Sequence, residues 1–206
     1  MDGFARRKEQ SKDDIRKAAW ELFSQFGVDK VSIADIARKA GVSQATIYNN
    51  FDSKEALVRE FVTASVDLLV DRVQAILTPK ALYRDKMAAF FHFISDMVAS
   101  GSPAPTDRAF FTSSLDLQND PEIKKIRIAA QEKMSSLLLG LIQEGKQQGQ
   151  VNPDLSEEAL RIYFTSFMDV FIDPEFQQRF YQHPELIREL GSLMIDGLSG
   201  ERRQSI

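Results

Sequence analysis

The segment from residue 32 to residue 51 constrains this chain most, because it holds two very short amphipathic helical patterns on either side of a tight turn. Ser32 stands before the first pattern, Gly41 lies in the turn, and Ser43 stands before the second. Serine is favoured at helix starts, and glycine is favoured where the backbone turns sharply. Helices this short are unstable alone, so the pattern predicts a helix-turn-helix supported by neighbouring helices.

The second short helix carries small or uncharged polar side chains where its outer face is expected. Gln and Asn can each form two hydrogen bonds with adenine, and the methyl groups of Ala and Thr can contact the methyl group of thymine. The second helix of a helix-turn-helix lies in the major groove of DNA. We therefore predict base contacts by Gln44, Ala45, Thr46 and Asn49. The predicted core residues of the motif are Ile33, Ile36, Ala37, Ala40, Val42, Ile47 and Phe51.

The chain is acidic overall, but its charge is distributed unevenly. The 206 residues carry a formal net charge of −4 at pH 7. Residues 1–60 hold 11 Lys and Arg against 10 Asp and Glu, whereas the remainder holds 15 against 20. This modest gradient is compatible with a DNA-binding amino-terminal part but would not identify one.

Several classes of protein find little support in the composition. The chain has no Cys and two isolated His, and it has no Gly-rich phosphate loop and no His pair at metal-binding spacing, so an enzyme has little to be built from. An architectural DNA-binding protein would need a more extensive basic surface. We find no secretion signal and no apolar stretch long enough to span a bilayer. We therefore expect a cytoplasmic protein without a cofactor or metal.

The chain is patterned as helices, which predicts an all-α fold with a three-helix helix-turn-helix domain in residues 1–53 and a larger helical domain in residues 54–206. The first helix is predicted to begin at Ser11, which has capping-box spacing to Asp14, and to bury a face that extends to Phe26. After a fourth helix that ends near residue 78, further helices are predicted at about 80–99, 105–117, 121–148, 155–172, 174–182 and 184–198.

Residues 11–60 resemble the amino-terminal domain of the tetracycline-repressor (TetR) family. The matching pattern runs from Phe23-x-x-x-Gly27 through Ile36-Ala37 and Ala40-Gly41-Val42-Ser43 to Thr46-Ile47-Tyr48-x-x-Phe51-x-x-Lys54-Glu55-x-Leu57. Asn49 and Asn50 depart from the pattern, since relatives often carry His or Tyr there. The resemblance implies a sequence-specific DNA-binding transcriptional regulator, usually a homodimeric repressor that a small-molecule effector releases from its operator.

The resemblance also implies roles at the edges of the helix-turn-helix. It places the hydroxyl of Tyr48 and the ammonium of Lys54 at DNA phosphates, and Asn50 is included in the predicted DNA-binding set. Ser32 and Ser43 are predicted helix caps whose hydroxyls could also contact phosphate. The basic segment at residues 6–8 either follows the DNA backbone or the adjacent minor groove, or it is a disordered solubilising tail.

The larger domain is rich in Phe and Met, which a helical core explains for the most part. The resemblance implies that some of these residues line a pocket, so the effector is expected to be apolar or aromatic. The apolar stripes at 155–172 and 184–198 could close the core of the domain. The resemblance implies instead that they pair with the same segments of a second chain across a twofold axis. The residues concerned in the core or pocket are Phe90, Phe91, Phe93, Met97, Phe110, Phe111, Met134, Phe164, Phe167 and Met168.

Overall fold

The computed structural model describes residues 3–99 and 120–199, whose regular structure is helical apart from one isolated β-bridge between Val151 and Ser199. The all-α fold class is confirmed. The predicted helix at 105–117, with Phe110 and Phe111, lies outside the described residues. The helices are α1 (Gly3–Phe26), α2 (Ile33–Ala40), α3 (Gln44–Asn50), α4 (Lys54–Leu77), α5 (Tyr83–Ala99), α6 (Pro121–Gln147), α7 (Glu157–Ile172), α8 (Pro174–Gln182) and α9 (Glu185–Gly197), with a 3-10 turn at Val28–Lys30.

The chain divides into two compact units. The first unit is made of residues 1–67 and 104–127, and the second is made of residues 68–103 and 128–206. Helix α4 is therefore divided between them after Asp67, and helix α6 is divided after Arg127. A functional domain boundary after residue 53 stays a prediction.

The first unit is built around one apolar face of α1. Its buried residues recur at helical spacing, and α1 contacts both α2 and α3. Phe23 and Trp20 of α1 also meet the ring of Phe61 on α4, with centroid distances of 5.5 and 4.9 Å. The buried residues of this face are Ile15, Ala18, Ala19 and Phe23, all as predicted.

The carboxyl end of α1 differs in part from the prediction. Gly27 follows the helix with a φ of 82°, a backbone conformation that glycine adopts without steric cost. The predicted burial of Phe26 is wrong, because 49 % of this residue is exposed. Phe26 lines an open surface depression together with Leu22 and Val31. The buried face of α1 therefore ends one turn before the helix does.

The predicted start of α1 at Ser11 is wrong, since the helix begins at Gly3. Residues 6–10 are Arg, Arg, Lys, Glu and Gln, all of which are favourable in a helix interior. Adding turns to an existing helix costs much less free energy than nucleating one, so this segment extends α1 and Ser11 lies inside it. The alternative of a disordered tail at residues 6–8 is wrong for the same reason.

Hydrogen bonds between near neighbours set the ends of α2 and α3. Ser32 Oγ accepts the N–H of Asp35 at 3.2 Å, and the carboxylate of Asp35 accepts the N–H of Ser32 at 3.0 Å, so the predicted cap at Ser32 is confirmed and takes the form of a capping box. Gly41 ends α2 in the left-handed region, with φ 68° and ψ 29°. Ser43 Oγ then accepts the N–H of Thr46 at 3.1 Å and caps α3, as predicted.

The second unit combines close helix packing with an ion pair whose lysine is buried. Helices α5 and α9 pack against each other, and Gly191 lets α9 approach the ring of Phe91. Lys86 is only 5 % exposed, and its Nζ lies 2.8 Å from Glu144 Oε2. Among the predicted core residues, Phe90, Phe91, Met97, Met134 and Phe164 are buried, Phe93 and Phe167 are half-buried, and the side chain of Met168 lies outside those described.

Two glycines of α6 provide a matched test of this packing. A methyl group at Gly145 would lie 2.7 Å from Val151 Cγ2 and 2.8 Å from the ring of Tyr83, whereas one at Gly140 would meet nothing within 4 Å. Gly145→Ala is expected to lower the free energy of unfolding by about 1–3 kcal/mol through overpacking. Gly140→Ala is expected to raise it by about 0.5–1 kcal/mol through helix propensity. Urea denaturation measures both, and equal effects of the two changes would contradict this packing.

Substitutions at Ser43 test the cap of α3. Ser43→Ala removes the acceptor for the N–H of Thr46 and is expected to lower the free energy of unfolding by about 1 kcal/mol. Ser43→Asp keeps a side-chain acceptor at the same place and should retain most of that stability. Thermal and urea denaturation of the two variants measure the difference, and a fully stable Ser43→Ala variant would show that the cap is not needed.

Candidate nucleic-acid interface

Helix α3 is anchored by its inner face and presents its outer face to solvent. Ile47 is fully buried, and Phe51, which ends the helix, is buried as well. Thr46 is half-buried, and its hydroxyl lies 2.8 Å from Ser43 Oγ. The side chains for which base contacts are predicted therefore point outward, except that Thr46 lies at the edge of the exposed face. The exposed residues of this helix are Gln44, Ala45, Tyr48 and Asn49.

The carboxyl end of α3 is fixed by contacts of Phe51 with two cations of α1. Lys12 Nζ and Arg16 Cζ lie 5.6 and 5.7 Å from the centroid of the Phe51 ring, within the range of a cation–π interaction. Arg16 also forms an ion pair with Glu60 of α4 at 2.8 Å, and this hydrogen bond raises the pKa of the guanidinium. Lys12 and Arg16 are not among the residues predicted from the sequence, although their spacing of one helical turn on α1 places them on the same face.

The hydroxyl of Ser32 is engaged inside the domain. It donates to Asp35 Oδ2 at 2.5 Å while accepting the N–H of the same residue. This hydroxyl, and then the backbone N–H of Ser32, hold the pKa of the Asp35 carboxyl below its ordinary value. A phosphate close to Ser32 would therefore meet a carboxylate, although Arg38 lies 3.3 Å from the other oxygen of Asp35. The position of Ser32 therefore suits it to capping the amino terminus of α2.

Asn49 and Asn50 are placed differently, although they are adjacent in sequence. Asn49 is exposed, whereas Asn50 is half-buried and its Nδ2 donates to the carbonyl of Thr46 at 2.8 Å. The Oδ1 atom of Asn50 is buried without a hydrogen-bond partner among the described residues. Asn49 can therefore reach a base from α3, while the amide of Asn50 is directed back along the helix.

Tyr48 and Lys54 are both accessible to a ligand. Tyr48 is 53 % exposed although aromatic residues are usually buried at least in part, and Lys54 is half-buried at the first position of α4. Within the described parts of the chain, Lys54 forms no ion pair. The ammonium of Lys54 is thus available to a phosphate, as the resemblance implies.

A groove runs between the amino-terminal turns of α1 and one side of α3. Its volume is about 490 Å³, and no acidic residue is among those that line it. The position of α1 beside α3 was not predicted from the sequence, although Ser11 and Lys8 lie one and two helical turns before buried Ile15 on the same face of α1. The groove is lined by Arg7, Lys8 and Ser11 of α1 and by Thr46, Asn49 and Asn50 of α3.

The described residues contain neither a cluster suited to a metal ion nor a helix suited to a membrane. No cluster of three or more His, Asp or Glu that could hold a metal ion occurs in the ranges 3–99 and 120–199. No helix in these ranges is both long and apolar enough to cross a membrane.

Comparisons with known proteins agree with this geometry. A family model described as "Bacterial regulatory proteins, tetR family" matches residues 15–61. The transcriptional regulator UidR of Escherichia coli (strain K12) is 26% identical over 162 residues, which are 76% of this chain and 76% of that protein. The transcriptional repressor KstR2 of Mycolicibacterium smegmatis is 24% identical over 144 residues, covering 70% of this chain and 69% of that protein.

Solved structures show the same fold beyond the helix-turn-helix. A proposed transcriptional regulator from Saccharomonospora viridis, crystallised in complex with choline, has a TM-score of 0.72 at 20% sequence identity. The likeness covers 94% of this chain and 100% of that chain. Residues 15–61 therefore match the tetR family of bacterial regulatory proteins, and the comparisons support a DNA-binding transcriptional regulator of that family and not an enzyme.

Proposed function

We propose that this protein is a homodimeric repressor that reads a palindromic operator through α3 and leaves it when a small organic effector binds. The observation that carries the proposal is the outer face of α3, which is polar and uncharged and is held outward by buried Ile47. Such a face can read base edges in the major groove. The relative KstR2 is named a repressor, which supports repression as the direction of control.

Base reading is divided among few side chains. The amides of Gln44 and Asn49 offer the paired donor and acceptor that recognise adenine, and the methyl group of Ala45 suits thymine. Thr46 is half-buried at the edge of this face, so its methyl group can contact only a base at the edge of the segment that α3 reads. None of these residues is charged, so they supply specificity and little of the electrostatic affinity.

Phosphate contacts then supply most of the affinity. Lys54 supplies a charge, and Tyr48 and Ser43 supply hydroxyl groups at the border of α3. Ser32 and Asn50 have polar groups that are engaged within the domain, so we assign them to holding α2 and α3 in place.

Exposed apolar side chains support a homodimer. Ile162 and Tyr163 on α7 are 60 % and 42 % exposed, and Leu193 on α9 is 70 % exposed. Large apolar residues exposed to this degree mark interaction surfaces when they are grouped on an element. An isologous interface formed by α7 and α9 would give a twofold dimer, with its two copies of α3 spaced by about 34–36 Å or a multiple of it.

The effector is proposed to be a small apolar or aromatic molecule bound by the second unit. Phe90, Phe91 and Phe164 give that unit a concentration of buried aromatic rings, which is the usual lining of small-molecule sites. The related fold from Saccharomonospora viridis was crystallised with choline, a small organic ligand. Effector binding would shift the population toward a dimer whose α3 helices no longer match the operator.

Two alanine variants separate phosphate contacts from base contacts. Lys54→Ala is expected to weaken binding to all duplexes alike and to reduce the slope of log affinity against log salt by about 1. Gln44→Ala is expected to leave that slope unchanged and to relax preference at one base position by about 1–3 kcal/mol. Fluorescence anisotropy with duplexes that the wild type selects from a random library measures both. A wild type that selects no sequence, or equal slope changes in both variants, would contradict the proposal.

A charged substitution tests the dimer surface. Ile162→Glu combined with Leu193→Glu places two carboxylates where apolar contact is proposed, so the variant is expected to sediment as a folded monomer while the wild type sediments as a dimer. Leu82→Glu is the control, because Leu82 is also 53 % exposed but lies on neither α7 nor α9. Analytical ultracentrifugation measures the masses. A double variant that stays dimeric would exclude this surface as the interface.

A further inference from the structure

We infer that the first unit holds a site for a small organic carboxylate, in which the guanidinium of Arg127 on α6 binds the carboxylate and the hydroxyl of Ser65 on α4 donates to it. Both residues belong to the first unit, and neither is among the residues proposed to contact DNA. The site goes beyond operator recognition and beyond the apolar effector site proposed for the second unit. It adds an anionic ligand to the chemistry that this regulator can sense.

Arg127 lies on the buried face of α6. Ile123 precedes it by four residues, Ala130 follows it by three, and Met134 follows by seven, and all three of these side chains are buried. Residues at such spacings share one face of a helix. Arg127 is itself half-buried. A side chain that is usually exposed thus occupies a position within an apolar stripe.

The guanidinium of Arg127 has no counter-ion within the described parts of the chain. The positions one helical turn before and after it on α6 are Ile123, Lys124, Ala130 and Gln131, so no acid is placed to pair with it along the helix. Burial lowers the pKa of the Arg127 guanidinium, and no neighbouring acid offsets this effect. A partly buried charge without a partner is unfavourable, so an anion that reached this guanidinium would be held there.

Ser65 supplies a second polar group without a partner. It is fully buried, and its Oγ atom has no hydrogen-bond partner among the described residues. A hydroxyl inside a helix commonly donates to the carbonyl four residues before it, as Thr63 does to Arg59 at 2.8 Å. A buried hydroxyl that has no acceptor is rare in folded proteins. A ligand with an acceptor oxygen would satisfy it.

An ion pair places these two groups at the same level of the first unit. Arg59 of α4 lies 2.7 Å from Asp120, the residue before α6. Ser65 follows Arg59 by six residues and Arg127 follows Asp120 by seven, which correspond to rises of about 9 and 10 Å. Both helices begin in the first unit and leave it at their carboxyl-terminal side. The long side chain of Arg127 can therefore share one anion with the hydroxyl of Ser65.

The surroundings favour a carboxylate with an apolar body. The planar guanidinium can form two parallel hydrogen bonds with a carboxylate or a phosphate. One cation neutralises one negative charge, whereas a phosphate carries between one and two at neutral pH. Val62 lies one turn before Ser65, Val66 follows it, and both are buried, as Ile123 is on α6. A singly charged acid with a hydrocarbon part matches one cation among apolar side chains.

Two substitutions of similar shape test whether these groups are held by contacts inside the protein. Arg127→Met keeps an unbranched apolar side chain without the charge, and Ser65→Ala removes only the hydroxyl. Neither group has a partner in the described residues, so both variants are expected to have a Tm equal to or above that of the wild type. Arg188→Met is the control, because Arg188 is exposed on α9. A Tm that falls for Arg127→Met and not for the control would overturn the inference.

Matched charged and uncharged ligands provide the main measurement. Hexanoate is compared with hexanamide, and phenylacetate with phenylacetamide, because the members of each pair differ in negative charge and share an apolar part. Isothermal titration calorimetry on the intact chain is expected to show that at least one carboxylate binds more tightly than its amide. Arg127→Met should weaken this carboxylate by about tenfold to a hundredfold and Ser65→Ala by about two- to tenfold. Arg188→Met should bind it as the wild type does.

Three outcomes would overturn the inference. The first is that neither carboxylate binds more tightly than its amide. The second is that Arg127→Met and Arg188→Met weaken the carboxylate equally, which indicates unspecific attraction. The third is that inorganic phosphate binds more tightly than both carboxylates and depends on Arg127. Selection of duplexes by the wild type is a separate measurement, so failure of this site leaves the proposed operator binding intact, and failure of operator binding leaves the ligand titrations valid.

Discussion

The burial of Ile47 is the interaction on which the arrangement of the interface depends. Helix α3 has seven residues, which are too few for a stable helix in isolation, so its position must come from tertiary contacts. Loss of a fully buried aliphatic side chain costs about 2–5 kcal/mol, whereas an amino-terminal cap contributes about 1 kcal/mol. The anchor therefore outweighs the cap, and the outer face of α3 is exposed because the opposite face is held.

The charge of the protein illustrates why local placement matters more than net charge. The chain is acidic, but within the first unit several acids are paired with nearby cations: Glu60 with Arg16 at 2.8 Å, Glu21 with Lys39 at 2.7 Å, and Asp120 with Arg59 at 2.7 Å. Such pairs at the surface add little stability. Their larger effect is on the distribution of charge. Because these acids are paired with other cations, they do not neutralise Lys8 and Lys54, which have no ion pair in the described ranges and can therefore interact with a ligand.

Local chemistry was enough to predict where the helices of the helix-turn-helix begin and end. It was not enough to predict the start of α1 or the end of its buried face. The roles of Ser32, Gly41 and Ser43 were predicted correctly because each forms a hydrogen bond with a backbone group within four residues of itself. Ser11 has the same capping-box spacing but failed, because that spacing does not report whether the preceding residues continue the helix. Phe26 failed because the burial of a helix face depends on where its partner ends, which is a tertiary property.

The groove between α1 and α3 shows how a prediction from helical phase differs from one based on a family resemblance. The phase of α1 is present in the sequence, since Ser11 and Lys8 follow from Ile15, but their position beside α3 depends on the packing that Gly41 and Ile47 set. The family model matches residues 15–61, so the α1 residues that line the groove lie before that match. Phosphate contacts change affinity and salt dependence without changing which bases are read, so cations beside α3 can tune affinity while the outer face of α3 sets the base preference.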